Sequence, residues 1–226
     1  MRIEPLGDSA LLVRVVEKFE AEESLDAVLR ATRQLEMAKM PGVVDLVPAY
    51  TTIGVFYDST KAGTFDEFRR TIERALEREV NMAPSRATAA IEVPVCYEDE
   101  FAFDLEEVAR HAALSPDEII RRHAEANYLV SCVGSTPGFP YLSGLPPELA
   151  TPRRASPRKE IPAGAVAIGG AQTGIYPRKS PGGWNIIGRT PLRLFDVERN
   201  PPALFQAGDR VRFRKISRQE FDAFSP

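Results

Sequence analysis

Cysteine, histidine and tryptophan are scarce in this chain, and each scarcity closes off a kind of chemistry. The two cysteines, Cys96 and Cys132, lie 36 residues apart with no Cys-x-x-Cys spacing. That excludes a disulfide framework and a zinc ribbon, and it reads as buried free thiols in a reducing compartment. With two histidines, His111 and His123, and both cysteines in apolar runs, no metal site is expected. No glycine precedes a lysine anywhere, so a Gly-x-x-x-x-Gly-Lys phosphate loop is missing. Gly-x-Ser-x-Gly and His-Glu-x-x-His are missing too, which excludes the common self-sufficient hydrolase sites. Apolar runs stay far below the ~20 residues of a membrane span. The N-terminus "MRIEPLGDSALLVRVVEK" places Glu4 and Asp8 ahead of a short apolar run, unlike a signal peptide. A cytoplasmic protein without a membrane partner is expected.

The 226 residues suit two domains of about 100 residues each. At 43% hydrophobic and 27% charged, the composition is that of an ordinary globular protein. Residues 2–16 read as a strand interrupted by a turn at Gly7-Asp8. Leu25, Val28, Leu29, Thr32 and Leu35 then mark one helical face, ended by Pro41-Gly42. Val43 to Val47 and Thr51 to Tyr57 read as a hairpin. Thr64-x-x-Glu67 is a capping box opening a helix with Phe65, Phe68, Ile72, Ala75 and Leu76 inward. The order β-α-β-β-α points to a split-βαβ, ferredoxin-like unit. The periodicity is lost in "NMAPSRATAA", so the expected domains are 1–84 and 85–226.

In the second domain, "IEVPVCY" reads as a strand. Asp104-x-x-Glu107 and Ser115-Pro116-x-Glu118 read as starts of short helices, with Ile119 and His123 on one face. From Gly134 to Pro202 the chain carries 12 prolines and 10 glycines. Between them stand β-prone runs, "AVAIGG", "TGIYP", "WNIIGRT" and "LRLF", which predict a small closed barrel or sandwich with tight turns. The overall fold class is therefore α+β.

Acid is nearly missing from one segment. Thr151 to Phe195 holds eight cations (Arg153, Arg154, Arg158, Lys159, Arg178, Lys179, Arg189, Arg193) and only Glu160, a local +7 in a chain of net −3. Such polarity draws anions. Nucleic acid is not the expected partner, because the pI is about 5.6 and the segment lacks the interleaved aromatics of a single-strand platform. Arg153 and Arg158 each follow a proline, and Arg189 lies between Gly188 and Thr190-Pro191, so stiff backbones present guanidinium forks suited to carboxylate or phosphate. Trp184 and Tyr176, beside Gln172 and Thr173, read either as barrel core or as a pocket wall. His123 suits proton transfer only if it faces a cleft.

The run "TPGFPYLSGLPPELATPRRASPRKEIPAGAVAIGGAQTGIYPRKSPGGWNIIGRTPLRLF" closely resembles the KipI family, also called allophanate hydrolase subunit 1 or PxpB, the B subunit of 5-oxoprolinase. The words "PGFPYL", "PAGAVAIGG", "QTGIYP" and "SPGGWNIIGRTP" carry the likeness. It extends through His123 and Tyr128 upstream and "AGDRVRF" downstream. The resemblance implies a ferredoxin-like domain followed by a cyclophilin-like β-barrel. It also implies a component, inactive alone, of an enzyme that opens 5-oxoproline to glutamate with ATP, beside LamB/YcsF-type and KipA-type partner subunits. ATP would be bound by, or shared with, the assembled complex. The positions it carries over as a shared surface for a small carboxylate are His123, Phe139, Tyr141, Arg153, Arg158, Gln172, Thr173, Tyr176, Trp184 and Arg189. His123 is the candidate for a catalytic role.

Two other activities follow from the same resemblance: inhibition of a sensor histidine kinase, and allophanate hydrolysis. Prolyl isomerisation is not expected, since a fold does not transfer its function. One departure stands out. Where family members often have a turn of the type "YGGEYGPDL", this chain has "YEDEFAFDL", which contains no glycine, so the loop must take another path.

Overall fold

The computed structural model describes residues 1–78 and 89–224. Its chain divides into two compact units, Met1–Ala87 and Thr88–Pro226. The boundary expected at 84/85 lies outside the described residues.

In the first unit, β1 (Arg2–Pro5) and β2 (Ala10–Arg14) form a hairpin, with Gly7 at φ +74° in the turn. The interrupted strand of the sequence is thus two strands. Helix α1 (Ala21–Ala38) follows, then the hairpin β3 (Val43–Ala49) and β4 (Thr52–Tyr57), a short α2 (Ser59–Ala62) and α3 (Phe65–Glu77). The sheet runs β1-β2-β4-β3, antiparallel throughout. Leu25, Val28, Thr32 and Leu35 form the buried stripe of α1, as their spacing requires, and Leu29 is half-buried. Phe68 and Ile72 of α3 join Leu11, Val13, Ile53 and Val55 in one core. The Thr64–Glu67 capping box is formed in both directions. A split-βαβ unit closes with a strand after its second helix. Among the described residues, the fourth strand of this sheet is instead the N-terminal β1.

The second unit is built on β5 (Ile91–Cys96), α4 (Leu105–Ala112), α5 (Pro116–Glu125), β6 (Tyr128–Val133) and β7 (Pro140–Ser143). It continues with β8 (Arg158–Ile161), β9 (Ala165–Gly169), β10 (Gln172–Ile175), β11 (Ser180–Gly182), β12 (Asn185–Arg189), β13 (Arg210–Ile216) and α6 (Arg218–Ala223). Seven strands close a barrel in the order β10-β7-β6-β13-β5-β12-β9. Only the β13–β5 pairing is parallel among these, so the barrel is mixed. The predicted closure hides the strand edges of a stretch rich in proline and glycine. Strands β8 and β11 stay outside it as a two-stranded ribbon.

Alternation along the strands creates two apolar layers. Val166, Ile168 and Ile187 face a core shared with Val93, Val95, Tyr128, Val130, Leu142 and Phe213, capped by Val108 of α4 and Ile119 of α5. Their neighbours Ala165, Ala167 and Ile186 face the other way, into a smaller cluster with Phe139, Ile161, Tyr176 and Trp184. Phe139, Tyr141, Tyr176 and Trp184 of the functional candidates gather in this smaller cluster. Of the two thiols, Cys96 is buried and Cys132 only half-buried, and both are free.

Candidate functional site

Four aromatic rings build one buried cluster, with Tyr141 at its half-buried edge. Phe139 meets Tyr141, Tyr176 and Trp184 with centroids 4.8, 5.2 and 5.6 Å away, and Tyr141 meets Trp184 at 5.8 Å. The contacts with Tyr176 and Trp184 are edge-to-face, the arrangement the ring quadrupoles favour. Two glycines make room for it. A Cβ at Gly169 would stand 2.4 Å from the Trp184 ring, and one at Gly182 would stand 2.2 Å from the Tyr176 hydroxyl. Gly169 of "AIGG" and Gly182 of "PGGW" are therefore packing residues. Burial raises the Tyr176 phenol above its usual range. A hydrogen bond from the Trp184 backbone N–H and the charges of Arg153 and Arg158 pull the other way.

The segment carrying Arg153 and Arg154 is pinned to the barrel. Thr151 and Gly170 exchange backbone hydrogen bonds of 3.2 and 2.7 Å, Arg154 N–H donates to the Gly183 carbonyl at 2.8 Å, and Asn185 Nδ2 donates to the Pro152 carbonyl at 2.9 Å. Arg153 then lays its guanidinium over Trp184, Cζ 5.6 Å from the ring centroid. Thr151, Pro152, Arg153, Arg154, Ala155, Ser156 and Asn185 line a cleft of about 440 Å³, closed on its α4 side by Glu107 and His111.

Behind that cleft lies the residue that organises the cations. Asp104, with 2% of its side chain exposed, accepts from Arg154 Nη1 at 2.6 Å, from Arg158 Nη1 and Nη2 at 2.7 and 2.8 Å, and from the Ile186 N–H at 2.8 Å. Its own N–H donates to the Ile186 carbonyl at 2.8 Å, tying the start of α4 to β12. The sequence marks Asp104 as a helix start, and it does occupy that position, but its carboxylate makes no cap bond. Neither Asp104 nor Arg154 was among the expected site residues. A signal existed: a segment of +7 requires a counter-charge from outside itself.

The expected shared cationic surface is only partly assembled. Arg158 presents both Nη atoms to Asp104, and Lys179 pairs with Glu160 at 2.6 Å. Arg189 stands at the far end of β12 from Trp184. Its Nε donates to the Ala163 carbonyl at 2.9 Å, and its Cζ lies 5.6 and 5.7 Å from the rings of Phe101 and Phe221. The structure brings Arg153, Arg158, Phe139, Tyr141, Tyr176 and Trp184 together and leaves Arg189 apart. Phe101 belongs to the glycine-free loop, which packs on α6 through a 4.5 Å ring contact with Phe221.

His123 is wholly buried and reaches no cleft. Nδ1 lies 2.9 Å from the Tyr97 hydroxyl, Nε2 lies 3.0 Å from Thr173 Oγ1, and the ring stacks on Phe213 at 4.4 Å. Burial pushes its pKa down to about 3, so the ring is neutral. The condition for proton transfer, an open face, is not met. Thr173 is likewise fully buried, while Gln172 is half-buried at the start of β10. No group of three or more metal-ligating side chains occurs among the described residues.

Known proteins resemble this chain in sequence and fold. The family described as carboxyltransferase domain, subdomain C and D, matches residues 1–205. The 5-oxoprolinase B subunit of Bacillus subtilis (strain 168) is 41% identical over 238 residues, covering 99% of this chain and 96% of the relative. That of Escherichia coli O157:H7 is 40% identical over 209 residues, covering 92% and 93%. The crystal structure of TTHA0988 in space group P212121 superposes with a TM-score of 0.79 at 37% identity, covering 92% of this chain. This chain spans only 40% of the length of that protein. With the family model matched over residues 1–205 and about two residues in five identical over more than nine-tenths of its length, the chain belongs to the family of 5-oxoprolinase B subunits.

Proposed function

We propose that this chain is the B subunit of an ATP-dependent 5-oxoprolinase, inactive alone, which opens the lactam of 5-oxoproline to glutamate. The observation that carries this reading is the identity of about two residues in five with the B. subtilis and E. coli proteins over nearly the whole of each chain. The partners are one LamB/YcsF-type and one KipA-type polypeptide. A site that needs partners agrees with TTHA0988, in which the corresponding fold is 40% of a longer chain. The barrel supports the cyclophilin-like reading of the second domain, and the β2-α1-β3-β4-α3 succession supports the ferredoxin-like reading of the first.

The substrate's carboxylate is assigned to the cleft beside Trp184. Arg153 supplies a positive charge at its rim, seated on the Trp184 ring of the buried aromatic cluster beneath. A triphosphate needs several converging donors, and Arg158 turns one hydrogen of each Nη to Asp104 instead. ATP is therefore assigned to one of the partners or to the assembled interface. When bound there, it would supply activation of the lactam carbonyl. The chain's own part is to hold and orient the anion.

The test is reconstitution from purified subunits, with glutamate and ADP measured from 5-oxoproline and ATP. Turnover with all three subunits and none without this chain is the expected result. Equal turnover after omitting it would reject the reading.

A further inference from the structure

We infer that Asp104 is a positioning residue: it sets the cationic wall of the cleft by holding Arg154 forward, against the cleft, and Arg158 behind it. Three observations support this. First, Asp104 receives both guanidiniums, Arg158 through two parallel bonds and Arg154 through one. Two cations on one carboxylate leave the cluster one positive charge in excess, in a place where side-chain exposure is 2% for Asp104, 24% for Arg158 and 34% for Arg154. Poor hydration keeps such a charge effective over the short distance to the cleft. Second, the two arginines are not equivalent. Arg154 lines the cleft and Arg158 does not, and the Nε of Arg154 is buried without a partner among the described residues. Arg154 gives Asp104 one Nη hydrogen where Arg158 gives two, so Arg154 keeps more Nη–H donors for a guest in the cleft. Third, the Asp104 backbone and carboxylate both grip Ile186, so the counter-charge rides on the barrel strand that directly follows Trp184. Arg153 over Trp184 and Arg154 on Asp104 are thereby fixed relative to each other.

An anion entering the cleft meets Arg153 and Arg154 already immobilised, which lowers the ordering cost of binding. Removing the charge of Asp104 while keeping its shape frees both guanidiniums to take solvent-facing rotamers. That change weakens binding of an anion more than it affects bond-making elsewhere in the complex. The kinetic arm of the test rests on the functional reading above, and the labelling arm does not.

In the reconstituted three-subunit complex, Asp104→Asn and Arg154→Gln should each raise KM for 5-oxoproline about tenfold or more, with kcat within about twofold. Lys179→Gln, on the exposed Glu160 pair, should leave both constants unchanged. Arg154→Gln keeps the Arg158–Asp104 pair, so it reports even if Asp104→Asn folds poorly. In the isolated chain, phenylglyoxal labelling read peptide by peptide should speed about fivefold at Arg154 and Arg158 in Asp104→Asn, with Arg178 unchanged. Unchanged labelling overturns the inference, as does an active complex whose KM ignores both substitutions. A wild-type complex that does not turn over 5-oxoproline rejects the functional reading alone. The inference is then decided by whether acetate slows Arg154 labelling in the wild type and not in Asp104→Asn, and no slowing overturns it.

Discussion

The Nε2 of His123 donates to Thr173 Oγ1 across 3.0 Å, because the single proton of that hydroxyl is already given to the Ala167 carbonyl, also at 3.0 Å. Nδ1 is then left to accept from the Tyr97 hydroxyl. Hydrogen bonding fixes one tautomer in a sealed site.

A pH dependence follows. His123 sits near pKa 3 in the fold, whereas an unfolded chain binds that proton below ~6.5. Between these values the unfolded state holds more protons, so stability is complete above pH ~6.5 and declines as pH falls toward 3, by up to ~1.4 kcal/mol per pH unit. Ring resonances of His123 should show the Nε2–H tautomer and no titration between about pH 5 and 8. A midpoint near the ordinary value would refute a sealed ring.

Gly169→Ala should destabilise the second unit by ~1–3 kcal/mol, since a Cβ there collides with the Trp184 ring. Gly134→Ala is the comparison, where the nearest atom would be Cys132 Sγ at 3.7 Å. Trp184 is the only tryptophan, so urea unfolding followed by its fluorescence reports on this cluster. Equal midpoints for the two variants would show that the ring moves aside at no cost.

Arg153 and Arg189 should behave differently despite similar sequence surroundings. Arg153→Ala removes a cation from the Trp184 face, a loss of ~0.5–1 kcal/mol, and should shift the tryptophan emission and raise KM in the complex. Arg189→Ala removes contacts with Phe101 and Phe221 and should loosen α6 with no change in emission. Identical spectra and kinetics for both would contradict their separation along β12.

In the first unit, Thr64→Ala removes the acceptor for the Glu67 N–H and should cost ~1 kcal/mol. Far-UV circular dichroism should register the earlier melting, while Trp184 fluorescence should not follow it.

Local rules made much of the architecture legible. Thr64 and Glu67 announced a capping box because its donors and acceptors are three residues apart, and the stripe Leu25, Val28, Thr32, Leu35 announced α1 by its period. The β-prone runs between Gly134 and Pro202 announced a small closed barrel or sandwich; three of them became β9, β10 and β12 of a barrel, whereas "LRLF" makes only an isolated bridge at Phe195. The aromatic cluster was legible as residue types, since Phe139, Tyr141, Tyr176 and Trp184 stood in the right words, but whether they formed core or a pocket wall was not, because the rings meet only where the ends of β7, β10 and β12 come together as a buried cluster. Asp104 escaped notice because its position at a helix start explains it locally, while its partners lie 50 and 54 residues further on.

What the amino-acid sequence determined alone was everything that depends on neighbours within a few residues: caps, turns, strand alternation, and the sign of the charge on residues 151–195. Which of those charges face a cleft was decided only by barrel closure. Closure brought one acid against two arginines, sealed His123 beneath Thr173, and sent Arg189 to the opposite end of its strand. A guanidinium is directed by the nearest poorly hydrated carboxylate, and a linear chain does not specify which carboxylate that will be.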